Sequence, residues 1–189
     1  MFTVVPKNSG LAKYKEFIDS LEPSEILKVR GEDVPFWVEK LLDKDKTVIG
    51  ITGQDLYKEY SLRNYKAKTN VLKVISWNDP KAMFTKPTLC LLGPKGKSLN
   101  RLPKKLRICI SDKYKFIAKK YLNLLETQGY TFEKFYVKGS VEESFSMGLS
   151  DIVIDIVYTG KSINQLRLEV YDKIFYSNFV IIGGRSRWM

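Results

Sequence analysis

Asp155 stands near the end of an apolar run, Ile152-Val153-Ile154-Asp155-Ile156-Val157, which leads through Tyr158 into Thr159-Gly160-Lys161-Ser162. The backbone amides of such a turn, with its two hydroxyls, can hold a single phosphate. The acid, ~10 Å or more behind along an extended chain, can accept hydrogen bonds from sugar hydroxyls. A phosphate at one end and a diol at the other describe a ribose 5-phosphate. The same letters also fit an ordinary strand that runs into a turn and a capped helix, and the pattern alone leaves both readings open.

A third reading fails. Gly-Lys-Ser, the tripeptide that closes a nucleoside-triphosphate P-loop, occurs at 96–98 and again at 160–162. A P-loop needs another glycine five residues earlier, because the wrap around the phosphates demands unusual backbone angles there. Those positions hold Leu91 and Asp155, and an aspartate would also repel the phosphate.

The elements that must carry these residues alternate along the chain. FTVV, TVIGITG, VLKVISW, PTLCLLG, RICISD, FEKFYVKG and DIVIDIV read as strands, and LEVYDKIFYSNFVIIGG closes the chain with more strand. LAKYKEFIDSL spaces Leu11, Tyr14, Phe17, Ile18 and Leu21 at helical intervals, and DVPFWVEKLL predicts a helix with Asp33 as N-cap and Pro35 in its first turn. QDLYKEY opens another helix, KFIAKKYLNLLETQG one that stops at Gly129, and SVEESFSMG a short one capped by Ser140. This βαβ rhythm implies an α/β fold with mostly parallel sheets. It occurs twice, on either side of a hinge near residues 85 to 95 where Pro87, Gly93, Pro94 and Gly96 cluster, with no repeat in the sequence itself. Two small α/β lobes with a cleft between them are expected.

Composition narrows the chemistry. The 189 residues are 44% hydrophobic and 28% charged, ordinary for a globular chain. No run reaches the ~20 apolar residues of a membrane span, and MFTVVPKNSG does not read as a signal peptide, so a cytoplasmic location is expected. Cys90 and Cys109 lie inside apolar runs and read as buried thiols of an intracellular protein. Histidine is absent, which excludes Ser-His-Asp and Cys-His nucleophile systems, His general bases and HExxH zinc sites. An enzyme built from this chain works by positioning and electrostatics, with carboxylates, Lys, Arg, Tyr and backbone amides. The formal net charge is +11, and the segment from Gly93 to Lys120 holds ten basic residues against Asp112 alone. Such a segment attracts polyanions or is simply a solvated basic face; no recognised nucleic-acid module accompanies it, which disfavours nucleic acid as the partner.

Residues 139 to 163, GSVEESFSMGLSDIVIDIVYTGKSI, resemble the signature region of the ATP phosphoribosyltransferases, the first enzymes of histidine biosynthesis. Glu142, Gly148, Ser150, Val153, Asp155, Ile156, Thr159 and Gly160 fit that pattern, with Ser162 for its threonine and Ile163 for its leucine or methionine. VPKN (5–8) is similar to the family's N-terminal PKG, RGEDVPFWVEK (30–40) to its R-x-x-D-I-P-x-x-V-E segment, VIGITGQDLYKE (48–59) to its L-G-I-T-G-x-D stretch, and LRICISDKYKFIAKKYL (106–122) to its strand, T-K-Y and helix.

The resemblance implies a pair of α/β lobes of the type 2 periplasmic-binding-protein kind with the substrates in the cleft. Residues 1–88 with 172–189 would form lobe I, and 89–171 would form lobe II. It implies transfer of phosphoribosyl from phosphoribosyl pyrophosphate to N1 of ATP, with Mg²⁺ assisting pyrophosphate departure. Thr159, Gly160, Lys161 and Ser162 would hold the 5-phosphate and Asp155 the ribose hydroxyls. Lys7 and Arg30 would face the pyrophosphate or the ATP phosphates, and Glu142 and Asp55 would make metal or ribose contacts or help close the lobes. Read without the resemblance, Arg30 and Asp33 are a capping pair, and Asp55 is a helix N-cap after Gly53. A homo-oligomer, dimer or higher, is expected. The chain's end soon after VIIGGRSRWM resembles a trimmed short form, whose partner would be a regulatory subunit related to histidyl-tRNA synthetases. Two departures stand out: Asn8 replaces the glycine of PKG, and Tyr158 replaces an acid or small residue. With the short C-terminus, they support a rival reading, a homologue that binds the nucleotide or phosphoribosyl group without turnover.

Overall fold

The structure, a computed structural model, describes residues 1–7, 18–20 and 22–184. Asn8 and almost all of the helix expected over 11–21 lie outside the described residues. The chain divides into two compact units, Met1–Ser76 with Asn178–Met189, and Trp77–Ser177.

The first unit holds β1 (Phe2–Pro6), β2 (Glu25–Val29), β3 (Val48–Gly53), β4 (Asn70–Ile75) and β10 (Phe179–Gly183), with helices α1 (Val34–Leu42) and α2 (Gln54–Arg63). The second holds β5 (Thr88–Pro94), β6 (Lys105–Ser111), β7 (Thr131–Val137), β8 (Ile152–Val157) and β9 (Leu168–Tyr176), with α3 (Lys115–Glu126), α4 (Val141–Ser146) and α5 (Lys161–Gln165). The two sheets run β2-β1-β3-β10-β4 and β7-β6-β8-β5-β9. They are the same arrangement made twice: three parallel strands, then one antiparallel strand, then a last strand antiparallel to that one. The duplication lies in the topology and leaves no repeat in the sequence.

Two expectations change here. Four of the eight strand pairings are antiparallel, so both sheets are mixed rather than mostly parallel. The reversed strands are β5, the first after the chain leaves the first unit, and β10, the first after it returns. Neither arrives through a crossover helix, so neither need run parallel to its neighbours. The Pro- and Gly-bearing stretch near 85–95 is mostly β5, whose residues Thr88 to Gly93 are buried between β8 and β9. The chain passes between units at Ser76/Trp77 and Ser177/Asn178.

Apolar burial holds each unit. Val4, Val34, Val38, Val180 and Ile182 form a core in the first, where α1 packs on the sheet. In the second, Cys90, Leu92, Cys109, Val153 and Val157 meet under Val141 of α4 and Ile163 of α5. Helix α3 turns Ile117, Ala118, Leu122 and Leu125 inward and leaves its lysines in water. The N-caps of α1 and α4 stand where expected, at Asp33 and Ser140, but neither side chain makes a capping bond. A 3-10 turn over Gly31–Asp33 runs directly into α1 and orders its first turn instead. Strand β2 carried no alternating signal because it is an edge strand with Glu25, Ile26 and Lys28 exposed.

Ile108, fully buried in β6, predicts the scale of the core. Ile108→Ala lowers unfolding free energy by about 2–5 kcal/mol. Val74→Ala, on edge strand β4 with 49% exposure, costs less than about 1 kcal/mol. Denaturant midpoints compared at constant slope check both.

Candidate active site

In open α/β sheets, ligands gather beyond the carboxyl ends of the parallel strands. Except for Glu142, every residue singled out from the sequence lies within the last three residues of such a strand or follows it. In the first unit, Lys7 follows β1, Arg30 follows β2, and Asp55 follows β3. Lys7 donates its amide to Val29 O at 2.7 Å, which holds the ends of β1 and β2 level. The buried Thr52 hydroxyl donates to Gly31 O at 2.7 Å and ties the Arg30 turn to β3. Both Lys7 and Arg30 are exposed. Asp33, exposed and without a capping bond, does not form the capping pair with Arg30. Asp55 is not a cap either: Gly53 occupies that position, and Asp55 sits buried in the first turn of α2, where the helix dipole favours a carboxylate.

In the second unit, β8 is flanked by β6 and β5, so its chain is apolar on both faces until Asp155. Burial raises the Asp155 carboxyl from its ordinary 3.8 to about 7. The Ile156 amide opposes that rise but less strongly than burial drives it; the nearby charge of Glu142 adds to the rise, and Lys113 and the Ser111 hydroxyl subtract from it. Ser111 ends β6 and Lys113 follows it, so a second strand end contributes to the same place. Neither was given a role from sequence, although the stretch around them matches a family segment.

The turn after β8 has Thr159, Lys161 and Ser162 exposed and Gly160 buried. Gly160 has φ +73°, and a Cβ there would stand 2.9 Å from the Met83 sulfur. Ser162 donates to Glu142 Oε1 at 2.9 Å, which joins the start of α5 to α4. The structure thus brings Glu142, Asp155 and the Thr159–Ser162 turn together, with Ser111 and Lys113 added. The remaining signature residues are architectural. Gly148, with φ +68°, closes α4: its amide bonds to Phe145 O at 2.9 Å, and the Leu149 amide to Ser144 O at 2.9 Å. The buried Ser150 hydroxyl meets that of Ser144 at 2.8 Å.

Among the described residues no three His, Cys, Asp or Glu side chains cluster closely enough to hold a metal ion on their own. A Mg²⁺ carried on substrate phosphates needs only one or two protein carboxylates, and Glu142, beside the turn, could supply one. No helix among the described residues is long and apolar enough to cross a membrane.

The geometry has counterparts in known proteins. The family model described as HisG: ATP phosphoribosyltransferase matches residues 30–189. The chain belongs to the ATP phosphoribosyltransferase family. It is 31% identical over 168 residues to the ATP phosphoribosyltransferase of Caldicellulosiruptor bescii, covering 89% of this chain and 71% of that one. Against the Thermotoga neapolitana protein of the same name it is 34% identical over 161 residues, 80% of this chain and 66% of the relative. It therefore spans about two thirds of the length of these relatives, or slightly more. Among solved structures, the ATP phosphoribosyl transferase (HisG:HisZ) complex from Thermotoga maritima matches with a TM-score of 0.69 at 23% identity, over 97% of this chain and 87% of that chain. The alkanesulfonate-binding protein SsuA of Xanthomonas axonopodis pv. citri matches with a TM-score of 0.57 at 14% identity, over 98% and 65%. These likenesses show the fold: two α/β lobes of the periplasmic-binding-protein kind.

Asp155 predicts a dependence of stability on pH. Its folded pKa, about 7, lies above the ordinary 3.8, so the folded state binds the proton more tightly than the unfolded one. Stability is therefore lost as pH rises from about 4 to 7, and the whole loss is present above that window. Asp155→Asn should melt at a higher temperature than the parent chain at pH 8, with the difference vanishing toward pH 4. Melting curves across that range check it.

Proposed function

We propose that this chain joins N1 of the adenine of ATP to C1 of phosphoribosyl pyrophosphate, the first step of histidine biosynthesis, in the cytoplasm. The observation that carries this reading is the partly buried Asp155 one short turn before Thr159-Gly160-Lys161-Ser162, inside the segment that the family model matches. The N1–C1 bond forms as the C1–oxygen bond to pyrophosphate breaks, and the bonding pair leaves with pyrophosphate. Adenine N1 carries a free lone pair, so no histidine base is called for. The barrier lies in aligning two polyanions and in stabilising positive charge on the ribosyl carbon.

Each residue then has a task. The turn amides and the Thr159 and Ser162 hydroxyls hold the 5-phosphate, and the exposed Lys161 adds positive charge. Ser162 donates to Glu142 in the free protein, so an arriving phosphate competes with that carboxylate for its proton. Asp155 accepts hydrogen bonds from the ribose hydroxyls, and once ionised it lowers the energy of the ribosyl cation. Lys7 and Arg30 supply cations to the pyrophosphate and the ATP phosphates, and Asp55 makes a ribose contact. Mg²⁺ bound to the pyrophosphate, with Glu142 as the added carboxylate, would neutralise charge on the leaving group. A regulatory subunit is the proposed partner, supported by the likeness to the Thermotoga maritima HisG:HisZ complex, and a homo-oligomer of the chain is proposed with it.

Formation of phosphoribosyl-ATP from ATP and phosphoribosyl pyrophosphate with Mg²⁺ tests the reading, with and without a HisZ-type subunit. Gly160→Val forces a side chain onto a left-handed backbone and into Met83. It should abolish phosphoribosyl pyrophosphate binding in calorimetry while leaving the circular dichroism spectrum unchanged; retained affinity places the phosphate elsewhere. Tight binding by the parent chain with no product under any condition sinks the transferase claim and leaves a binding homologue. Because Asp155 must be ionised to stabilise the ribosyl cation, kcat/KM for phosphoribosyl pyrophosphate should rise with pH through about 7. Asp155→Asn should be slow and lack that rise.

A further inference from the structure

Tyr158 is one of the two letters that stand apart from the family pattern, and the structure gives it a partner. Its hydroxyl donates to Asp79 Oδ2, from a segment distant in sequence that enters the second unit at Trp77. Asp79 is 3% exposed. A carboxylate at that depth needs donors. It has the Tyr158 hydroxyl on one oxygen and the Lys81 amide at 3.0 Å on the other. The Trp77 ring meets the Tyr158 ring edge to face, with centroids 6.1 Å apart.

The tie continues into the turn itself. Asp79, Ala82 and Thr85 close their loop through hydrogen bonds donated by their amides, 2.7 Å from Asp79 to Thr85 O, 2.9 Å from Ala82 to Asp79 O and 3.0 Å from Thr85 to Ala82 O. From that closed loop the Met83 amide donates to Tyr158 O at 2.7 Å. The Met83 side chain lies on the side of Gly160 where a Cβ would point. Phe84, next along, packs on the apolar core of the unit. The loop therefore holds Tyr158 by its hydroxyl, its ring and its carbonyl, and it backs the glycine two residues on.

We infer that Tyr158 and Asp79 are positioning residues that fix the Thr159–Ser162 turn in the conformation that receives a phosphate. This rests on the reading that the turn takes the 5-phosphate of phosphoribosyl pyrophosphate. An acid or a small residue at 158 would leave Asp79 without that donor, so the aspartate and the tyrosine compensate each other. Neither touches the reacting atoms, and their effect passes through the turn.

The test uses the full chain with phosphoribosyl pyrophosphate as the probe and compares the parent, Tyr158→Phe, Asp79→Asn, Asp79→Ala and Gly160→Val. Tyr158→Phe keeps the ring on Trp77 and removes only the hydroxyl. It should raise KM and the calorimetric Kd for phosphoribosyl pyrophosphate about tenfold, with kcat within about twofold. Exchange of the Met83 amide with deuterium should also quicken. Asp79→Asn should rescue most of the affinity, because its Oδ1 can still accept from the Lys81 amide and its NH₂ can donate to the tyrosine oxygen. Asp79→Ala should match Tyr158→Phe, and the double variant should be no worse than either single one. If Tyr158→Phe binds like the parent while Gly160→Val has lost binding, the positioning role is overturned and the 5-phosphate reading stands. If Gly160→Val binds like the parent, or the parent does not bind, the 5-phosphate reading falls and takes this inference with it.

Discussion

A carboxylate held partly buried near the end of a central strand is the constraint on which the site depends. Asp155 pays for its place with a raised pKa, and the cause is burial between strands that must pack for the unit to fold. The same packing that makes the carboxylate costly makes it useful. In water, a charge is heavily screened, whereas a partly buried charge with fixed neighbours is not. Ser111, Lys113 and Glu142 set its environment from β6, from the turn after it and from α4.

The duplicated topology explains why charged residues gather at strand ends. Each unit has three parallel strands whose carboxyl ends lie on one edge. In the first, that edge carries Lys7, Arg30 and Asp55; in the second, Ser111, Lys113, Asp155 and the Thr159–Ser162 turn. One plan used twice yields one edge with Lys7, Arg30 and Asp55 and another with Asp155 and its turn. Alignment and charge stabilisation, rather than proton abstraction by an imidazole, are what a chain without histidine can supply.

Much of the fold was legible because its signals are local. Buried strands show as short β-branched runs, and α3 shows its inward face by its spacing. The acid and the turn were readable for the same reason, since they lie a few residues apart on one strand. Strand β2 was not readable, because an edge strand with exposed Glu25, Ile26 and Lys28 lacks a two-residue alternation. Strand direction was not readable either. An apolar run looks alike in both directions, and only the crossing of the chain between units reverses β5 and β10.

The amino-acid sequence by itself determined the family, the succession of elements and the letters of the site, because each depends on residue type and short spacing. Tertiary structure alone decided what those letters experience. The acidity of Asp155 comes from neighbours on other strands, and Tyr158 finds Asp79 across 79 positions of chain. Desolvation and hydrogen bonding are properties of where groups meet in space, and no local pattern encodes a meeting of residues that far apart.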